Sequence, residues 1–184
     1  MKQYSEYKEV ISNKKINVQN IDFARRVITQ LQNDAYEYIS NGSGPFVSAI
    51  YDDNGNLISK CANTVVLDKC SCNHAEINAI RKAEEVLGTH DLSQYNLSIY
   101  ITSEPCMMCL GAILWSGIKS VYFGVKTEDV VEITGYDEGF KNNWFEEFAK
   151  RGIAVYGNIE PELGKAVLKN YVLDGNVIYK PSRK

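Results

Sequence analysis

The sequence lacks a long apolar run and an even set of cysteines. Its apolar stretches fall well short of the roughly 20 residues that a membrane-spanning helix needs. The first residues are polar and have no apolar core of the kind that a secretory signal requires. The chain has five cysteines, and an odd count argues against a disulfide framework. We therefore expect a cytoplasmic protein that does not enter a membrane.

An excess of positive charge is also missing. The formal net charge is −3, and the sequence pI is about 5.5. Proteins that bind nucleic acid usually carry a basic patch, so the charge argues against a nucleic-acid partner without excluding one. The 184 residues are 45% hydrophobic and 23% charged, which is ordinary for one globular domain with a sizeable core.

Two short segments carry the chemistry. His74-Ala75-Glu76 is followed thirty residues later by Pro105-Cys106-Met107-Met108-Cys109. His-x-Glu with a later Pro-Cys-x-x-Cys is the signature of zinc-dependent nucleobase deaminases. One histidine and two cysteines supply three ligands and leave a fourth position for water, as in catalytic zinc sites. We predict a zinc cofactor held by His74, Cys106 and Cys109.

Glu76 lies two residues after the histidine and is not needed as a ligand. The motif implies that it is the general acid and base, which takes a proton from water and delivers it to the substrate. Cys106 and Cys109 are expected at the start of a helix, where the helix dipole favours the thiolate form that binds metal.

Other interpretations of the cysteines remain open. A Cys-x-x-Cys pair is also typical of redox pairs and of structural zinc sites. A structural site would need a fourth protein ligand, and Cys70, Cys72 or His90 could supply it. We expect Cys61 to be a small buried residue, and Cys70 and Cys72 to be free thiols near the rim of the site.

Helices and strands alternate along the chain. Asn41–Pro45 and the Gly55 turn interrupt regular structure, and residues 64–72 and 134–143 are predicted loops. The pattern predicts a three-layer α/β/α sandwich with a mixed five-stranded central sheet. We expect residues 1–19 to form an N-terminal extension. Residues 20–184 should form a single deaminase domain with an extended C-terminal segment, from about 140 to 184, that lengthens the domain. The predicted helices are 20–40, 74–87, 106–116, 127–133, 144–151 and 161–172, and the predicted strands are 46–51, 57–63, 97–102, 120–125, 153–156 and a last candidate at 177–179.

From Gly44 to about Gly139 the chain resembles the cytidine deaminase-like superfamily. Within it, the chain is most similar to bacterial guanine deaminases. The similarity lies in Gly44-Pro45-Phe46, in Asn63 eleven residues before the histidine, and in the segments 74–83 and 104–115. The zinc motifs are specific for the superfamily and much less so for the base.

The resemblance implies substrate-binding roles for further residues. Asn63 would hydrogen-bond the base, and Ala75 would contact it through its backbone. Phe46 would stack on the ring or form a wall of the pocket, and Trp115 would close another side. The alternative to these roles is that Asn63 is a turn residue and that the side chains of Phe46 and Trp115 belong to the core.

The segment Gly135-Tyr136-Asp137-Glu138 matches the place where guanine deaminases have a Gly-Phe-Asp-Asp-like stretch. In that family the second acid reads the amino group of the base, so the resemblance assigns this role to Glu138, with Asp137 adjacent. The alternative is a solvated acidic turn. Guanine deaminases also place a C-terminal tyrosine over the site, which makes Tyr179 a candidate, although it would equally suit an edge strand.

These observations predict a hydrolytic deaminase of a purine-type base, guanine or a close relative, that releases ammonia. Cytosine, nucleoside and tRNA-adenosine deaminases share the scaffold and are alternative activities. The alternative to an enzyme is a protein without activity that binds a partner and is stabilised by zinc. We also expect a homodimer, because Leu110, Ile113 and Leu114 give the cysteine helix large apolar faces.

Overall fold

The computed structural model describes residues 18–179. Nearly all of the expected N-terminal extension therefore lies outside the described residues. The helices are α1 (Val18–Ser40), α2 (Val65–Asp68), α3 (Ala75–Leu87), α4 (Met107–Ser116), α5 (Thr127–Thr134), α6 (Trp144–Lys150) and α7 (Pro161–Leu173), and the strands are β1 (Val47–Tyr51), β2 (Leu57–Ala62), β3 (Ser98–Ser103), β4 (Ser120–Val125) and β5 (Ala154–Tyr156).

The five strands form one mixed sheet in the order β2-β1-β3-β4-β5. β1 runs antiparallel to both β2 and β3, whereas β3, β4 and β5 are parallel. The predicted α/β class and mixed sheet are therefore confirmed. Because β2 and β3 point the same way, their carboxyl ends lie at the same edge, and α3 and α4 begin there.

Alternating side chains of the strands build a core on each face of the sheet. On β3, Ile99 and Ile101 pack toward α3, α4 and α6, whereas Tyr100 faces α1 and α7. Tyr100 stacks on Tyr122 of β4 with ring centroids 4.8 Å apart, and Tyr122 stacks in the same way on Tyr156 of β5. The period of two in each strand thus produces the three layers.

Two local predictions were wrong. Residues 65–68 form the single turn α2 within the segment predicted as a loop, because one turn is too short to show a helical period. Val177–Tyr179 forms no strand. The Val177 carbonyl instead accepts hydrogen bonds from the hydroxyls of Tyr171 and Tyr136, which hold this segment beside α7.

No helix within residues 18–179 is both long and apolar enough to cross a membrane.

Candidate active site

The three predicted ligands meet at the edge of the sheet where α3 and α4 begin. His74 is the N-cap residue of α3, and Cys106 is the N-cap residue of α4. His74 Nδ1 lies 3.5 Å from Cys106 Sγ and 3.7 Å from Cys109 Sγ. All three ligand atoms lie within 4.8 Å of one another. Side chains separated by 35 residues in sequence are thus brought to one point.

These separations fit a tetrahedral zinc ion. With Zn–S bonds of about 2.3 Å and Zn–N bonds of about 2.0–2.1 Å, tetrahedral angles place nitrogen and sulfur about 3.6 Å apart. The two observed distances lie on either side of that value. One nitrogen and two sulfurs also form a typical zinc donor set, so the residues fit the cofactor that the motif predicts.

The three ligand side chains shift one another's pKa values. Hydrogen bonds from Cys109 and His74 lower the pKa of Cys106 to about 4, so this thiol ionises first. The pKa of Cys109 is raised, because it donates to Cys106 and is buried near Glu76. Burial lowers the pKa of His74, but the hydrogen bond with Cys106 and the charge of Glu76 outweigh that effect and raise it.

Glu76 lies in the first turn of α3 and is almost fully buried. Burial raises its pKa to about 7, and the nearby charge of Cys106 acts in the same direction. A carboxyl group with a pKa near the working pH can both accept and donate a proton, which is the property that a general acid and base needs.

A network of polar contacts holds the start of α3. The side-chain amide of Asn78 donates to the carbonyls of Ala62 and Asn73 and to the Thr64 hydroxyl. The Thr64 amide in turn donates to the Asn73 carbonyl. These bonds join the end of β2, the segment with α2 and the first turns of α3, and so fix His74 and Glu76 relative to the sheet.

A cavity of about 560 Å³ opens in front of the three ligands. His74, Cys106 and Glu76 line it, and so do several residues predicted from the sequence. Met107, Met108, Val65 and Val66 add apolar surface. The predicted substrate residues along its wall are Phe46, Asn63, Asp137, Glu138 and Tyr179.

Asn63 offers a hydrogen-bond donor to this cavity. Its Oδ1 accepts from the Val65 amide at 3.2 Å, which fixes the orientation of the side-chain amide. Within the described part of the chain, Nδ2 donates to no group. Gly44 packs against this side chain, and a Cβ at that position would lie 2.9 Å from Asn63 Oδ1. A side chain at position 44 would therefore displace the Asn63 amide from this position.

Glu138 offers an acceptor. Its Oε2 accepts from the Thr127 hydroxyl at 3.1 Å and from Lys141 Nζ at 2.9 Å. Among residues 18–179 no group donates to Oε1. Burial raises the pKa of Glu138, and the adjacent Lys141 charge opposes that rise. Asp137, the neighbouring acid, is exposed and accepts from the Gly139 amide, so it stabilises the turn.

Aromatic side chains form one wall of the cavity. Phe46 packs edge to face against Tyr136, with ring centroids 5.7 Å apart. Tyr171 and Tyr179 line the same region, and Tyr171 anchors the C-terminal segment through the Val177 carbonyl. An aromatic wall of this kind suits packing against the ring of a base.

Two predicted substrate residues do not line the cavity. Trp115, near the end of α4, is 89% exposed, so it neither closes the pocket nor joins the core of this chain. Its position places it on the outer side of the helix, away from the ligands at the other end. Ala75 is fully buried between His74 and Glu76.

The remaining cysteines are free thiols in the structure. Cys70 and Cys72 are exposed in the segment that precedes His74, and Cys61 is partly buried on β2. None of the three belongs to the group that can hold a metal among the described residues.

Several site residues were not predicted from the sequence. Tyr136 and Tyr171 were not assigned roles as lining residues. Lys141 and Thr127 form a buried cluster with Glu138 and also with Glu104, which directly precedes Pro105. Local motifs could not find this cluster, because its members are spread over nearly forty residues.

The sequence and the fold both match known deaminases. Residues 21–125 match the family model of the cytidine and deoxycytidylate deaminase zinc-binding region. The guanine deaminase of Bacillus subtilis is 38% identical over 119 residues, which cover 64% of this chain and 71% of that protein. A tRNA-specific adenosine deaminase of Buchnera aphidicola is 38% identical over a shorter stretch, 52% of this chain and 62% of that protein.

Solved structures show the same similarity. NE0047 in complex with 2,6-diaminopurine is 34% identical, with a TM-score of 0.80 over 85% of each chain. Guanine deaminase from Nitrosomonas europaea is 35% identical, with a TM-score of 0.75 over 78% of this chain and 81% of that chain. Together with the ligand geometry at the ends of β2 and β3, these matches show that the chain belongs to the cytidine and deoxycytidylate deaminase family and is a deaminase acting on C–N bonds.

Proposed function

We propose that the protein is a zinc-dependent hydrolytic deaminase of a purine base, guanine or a close relative, and that it releases ammonia. One observation carries this proposal. An Asn63 donor and a Glu138 acceptor, both without a partner among residues 18–179, and the buried carboxyl of Glu76 converge on one cavity beside a zinc-compatible ligand set. NE0047, the related structure with bound 2,6-diaminopurine, supports a purine as the ligand.

His74, Cys106 and Cys109 would hold the zinc ion. When bound, zinc supplies Lewis-acid chemistry that makes water a better nucleophile near neutral pH. Glu76 lies beside the ligands and takes the proton from the attacking water. It delivers that proton to the ring nitrogen next to the attacked carbon. It then takes the remaining proton of the added oxygen and passes it to the amine, so that the C–N bond breaks, ammonia leaves and the oxygen becomes a carbonyl. Its burial keeps the carboxyl close to the proton affinity that both transfers need.

Asn63 and Glu138 would recognise the edges of the base. The Nδ2 group of Asn63 is an amide N–H₂ group and can only donate, so it pairs with an acceptor such as a carbonyl oxygen or ring nitrogen. An ionised Glu138 can only accept, so it requires an N–H group. Guanine offers both kinds of group around its ring. Phe46 and Tyr136 would pack on its flat faces or edges.

A substrate panel tests the proposal. The zinc-loaded protein is incubated with guanine, adenine, cytosine, their nucleosides and tRNA, and the release of ammonia is followed. We expect guanine or a close purine to have the highest kcat/KM. Faster turnover of cytosine, a nucleoside or tRNA would exclude guanine as the substrate and leave the zinc chemistry in place.

Replacement of Glu138 tests the recognition of the base. Glu138→Gln removes the charge and gives the side chain an N–H group of its own, so we expect it to weaken guanine turnover by roughly tenfold or more. Asp52→Asn is the matched control, because Asp52 caps the distant turn between β1 and β2. Equal rates in the two variants would show that Glu138 does not recognise the base.

A further inference from the structure

Lys141 is the most buried lysine at the site, and the proposed chemistry gives it no task. Its side chain is only 7% exposed, although it follows a loop and precedes α6. A lone ammonium group in such a place is costly, so its partners must compensate for the lost water. Lys141 does not itself line the cavity.

The ammonium group has two hydrogen-bond acceptors and one further charged partner. Nζ lies 2.9 Å from Glu138 Oε2 and 3.6 Å from Glu104 Oε1, and it also donates to the Thr127 hydroxyl. Two of its three N–H donors thus make hydrogen bonds, and the Glu104 carboxylate is an ion-pair partner beyond hydrogen-bond distance. The group is therefore fixed in position.

Glu104 connects this cluster to β3, the strand that leads into the cysteine motif. Its Oε1 accepts from the indole N–H of Trp144 at 3.0 Å, and its Oε2 accepts from the Thr127 amide at 3.1 Å. Its backbone amide donates to the Val125 carbonyl and so extends the pairing of β3 with β4. Glu104 is 4% exposed. Glu104 thus connects Lys141 to the edge of the sheet.

The two carboxylate oxygens of Glu138 therefore have different surroundings. Lys141 and Thr127 both bind Oε2, whereas Oε1 has no donor among the described residues. Since Glu138 lines the cavity, the unpaired oxygen is the one left to accept a hydrogen bond from a ligand. Without Lys141 two buried carboxylates, Glu104 and Glu138, would face each other with no cation between them.

We propose that Lys141 is a positioning residue for substrate recognition: it links Glu138 to Glu104, holds Glu138 by one oxygen and leaves the other oxygen to bind an N–H group of the base. This inference rests on the proposed function, because it assumes that Glu138 contacts the substrate. Lys141 acts through Glu138 and not on the reacting atoms. The burial that raises the pKa of Glu138 makes such a neighbouring cation necessary if the acid is to remain ionised.

Three variants of the zinc-loaded protein test this role. Lys141→Met removes the charge at similar length, and Lys141→Arg keeps a charged donor. Lys165→Met is the matched control, because Lys165 also bridges two acids, Asp129 and Glu162, but lies on α7 outside the cavity. Zinc content and thermal midpoint are measured for each variant, with KM and kcat for guanine. The inhibition constant of unsubstituted purine, which has no N–H on its six-membered ring, is measured in parallel.

We expect Lys141→Met to raise KM for guanine by on the order of tenfold to a hundredfold, the usual effect of a hydrogen bond to a charged group. kcat should change much less, because the lost contact is made in the ground state as well as in the transition state. The inhibition constant of purine and the zinc content should not change. Lys141→Arg should recover most of the loss, and Lys165→Met should behave like the wild type.

Two outcomes would overturn the inference. One is an unchanged KM for guanine in Lys141→Met. The other is an equal loss for guanine and purine, which would indicate only a structural role. If the wild type turns over another base and not guanine, the proposed function fails on its own, and the KM of that base in Lys141→Met then decides the role of Lys141.

Discussion

Glu76 is the residue on which the proposed proton transfers depend. Glu76→Gln keeps the shape of the side chain but removes its ability to exchange a proton. We expect turnover to fall by at least about a hundredfold, since general acid–base groups typically contribute that much. Zinc content should stay at the wild-type level, because Glu76 is not in the ligand group. A variant that retains wild-type turnover would assign the proton transfers to another group.

Cys106 tests the identity of the ligands. Cys106→Ala leaves one sulfur and one nitrogen, which are too few for a stable site. We expect elemental analysis to find about one zinc per chain in the wild type and nearly none in this variant. Cys72→Ala is the control, because Cys72 is an exposed free thiol outside the ligand group. Equal zinc in both variants would reject the ligand assignment.

The sequence predicts the site residues that belong to short local motifs. His74 and Glu76 are two residues apart, and Cys106 and Cys109 are one helical turn apart, so both patterns are visible without the fold. Asn63, Glu138 and Tyr179 came from a family resemblance, and the structure places all three on the cavity wall. Their contacts with substrate stay a prediction.

Other site residues could not be predicted, because only the fold brings them together. Trp144 donates to Glu104 across a separation of 40 residues, and Lys141 joins acids on two different loops. Neither residue belongs to a periodic or spaced pattern. Trp115, which the family resemblance assigned to the pocket, lies on the exposed side of α4 in this chain, and its contact with substrate stays a prediction.

Among the elements, the longer helices and the strands of the sheet were predicted within a few residues. Their hydrophobic periods extend over enough positions to be distinctive. The errors concern segments whose structure depends on distant partners. Val177–Tyr179 alternates like a strand, but the hydroxyls of Tyr136, which follows α5, and of Tyr171 in α7 bind its Val177 carbonyl, and it pairs with no strand. α2 depends on the surrounding polar network for its single turn.

The packing of α7 on the sheet depends on Gly164. A Cβ at this position would lie 2.4 Å from Val125 Cγ2 and 2.7 Å from Gln32 Nε2, so β4 and α1 both come close to the helix. We expect Gly164→Ala to lower the free energy of unfolding by roughly 1–3 kcal/mol, as overpacked cores do. Thermal unfolding of the zinc-loaded protein measures the loss.

A neighbouring substitution provides the comparison for that experiment. Glu162→Ala changes an exposed residue of the same helix, and its effect should stay within about 0.5 kcal/mol. If Gly164→Ala unfolds at the wild-type temperature, the side chains of Val125 and Gln32 can move aside, and the close approach of α7 does not require glycine.

For the whole molecule, the structure changes the basis on which a homodimer is expected. Leu110 and Ile113 are buried in the core between α4 and the sheet, so they cannot form an interface. Leu114 is partly exposed, and Trp115 beside it is almost fully exposed. Tryptophan is one of the residues enriched in binding hot spots near the centre of protein interfaces, and leaving it in water forgoes a large burial free energy.

We therefore predict that a second copy of the chain covers Trp115 in solution. Light scattering at micromolar concentration should give the mass of a dimer for the wild type. Trp115→Ser should shift the mass toward that of the monomer, because it removes the largest exposed apolar side chain of α4. Leu173→Ser is the matched control, since Leu173 is also exposed near the end of a helix, but α7 packs on the opposite face of the sheet. A monomeric wild type would reject the dimer, whereas a dimer that persists in Trp115→Ser would place the interface on another surface.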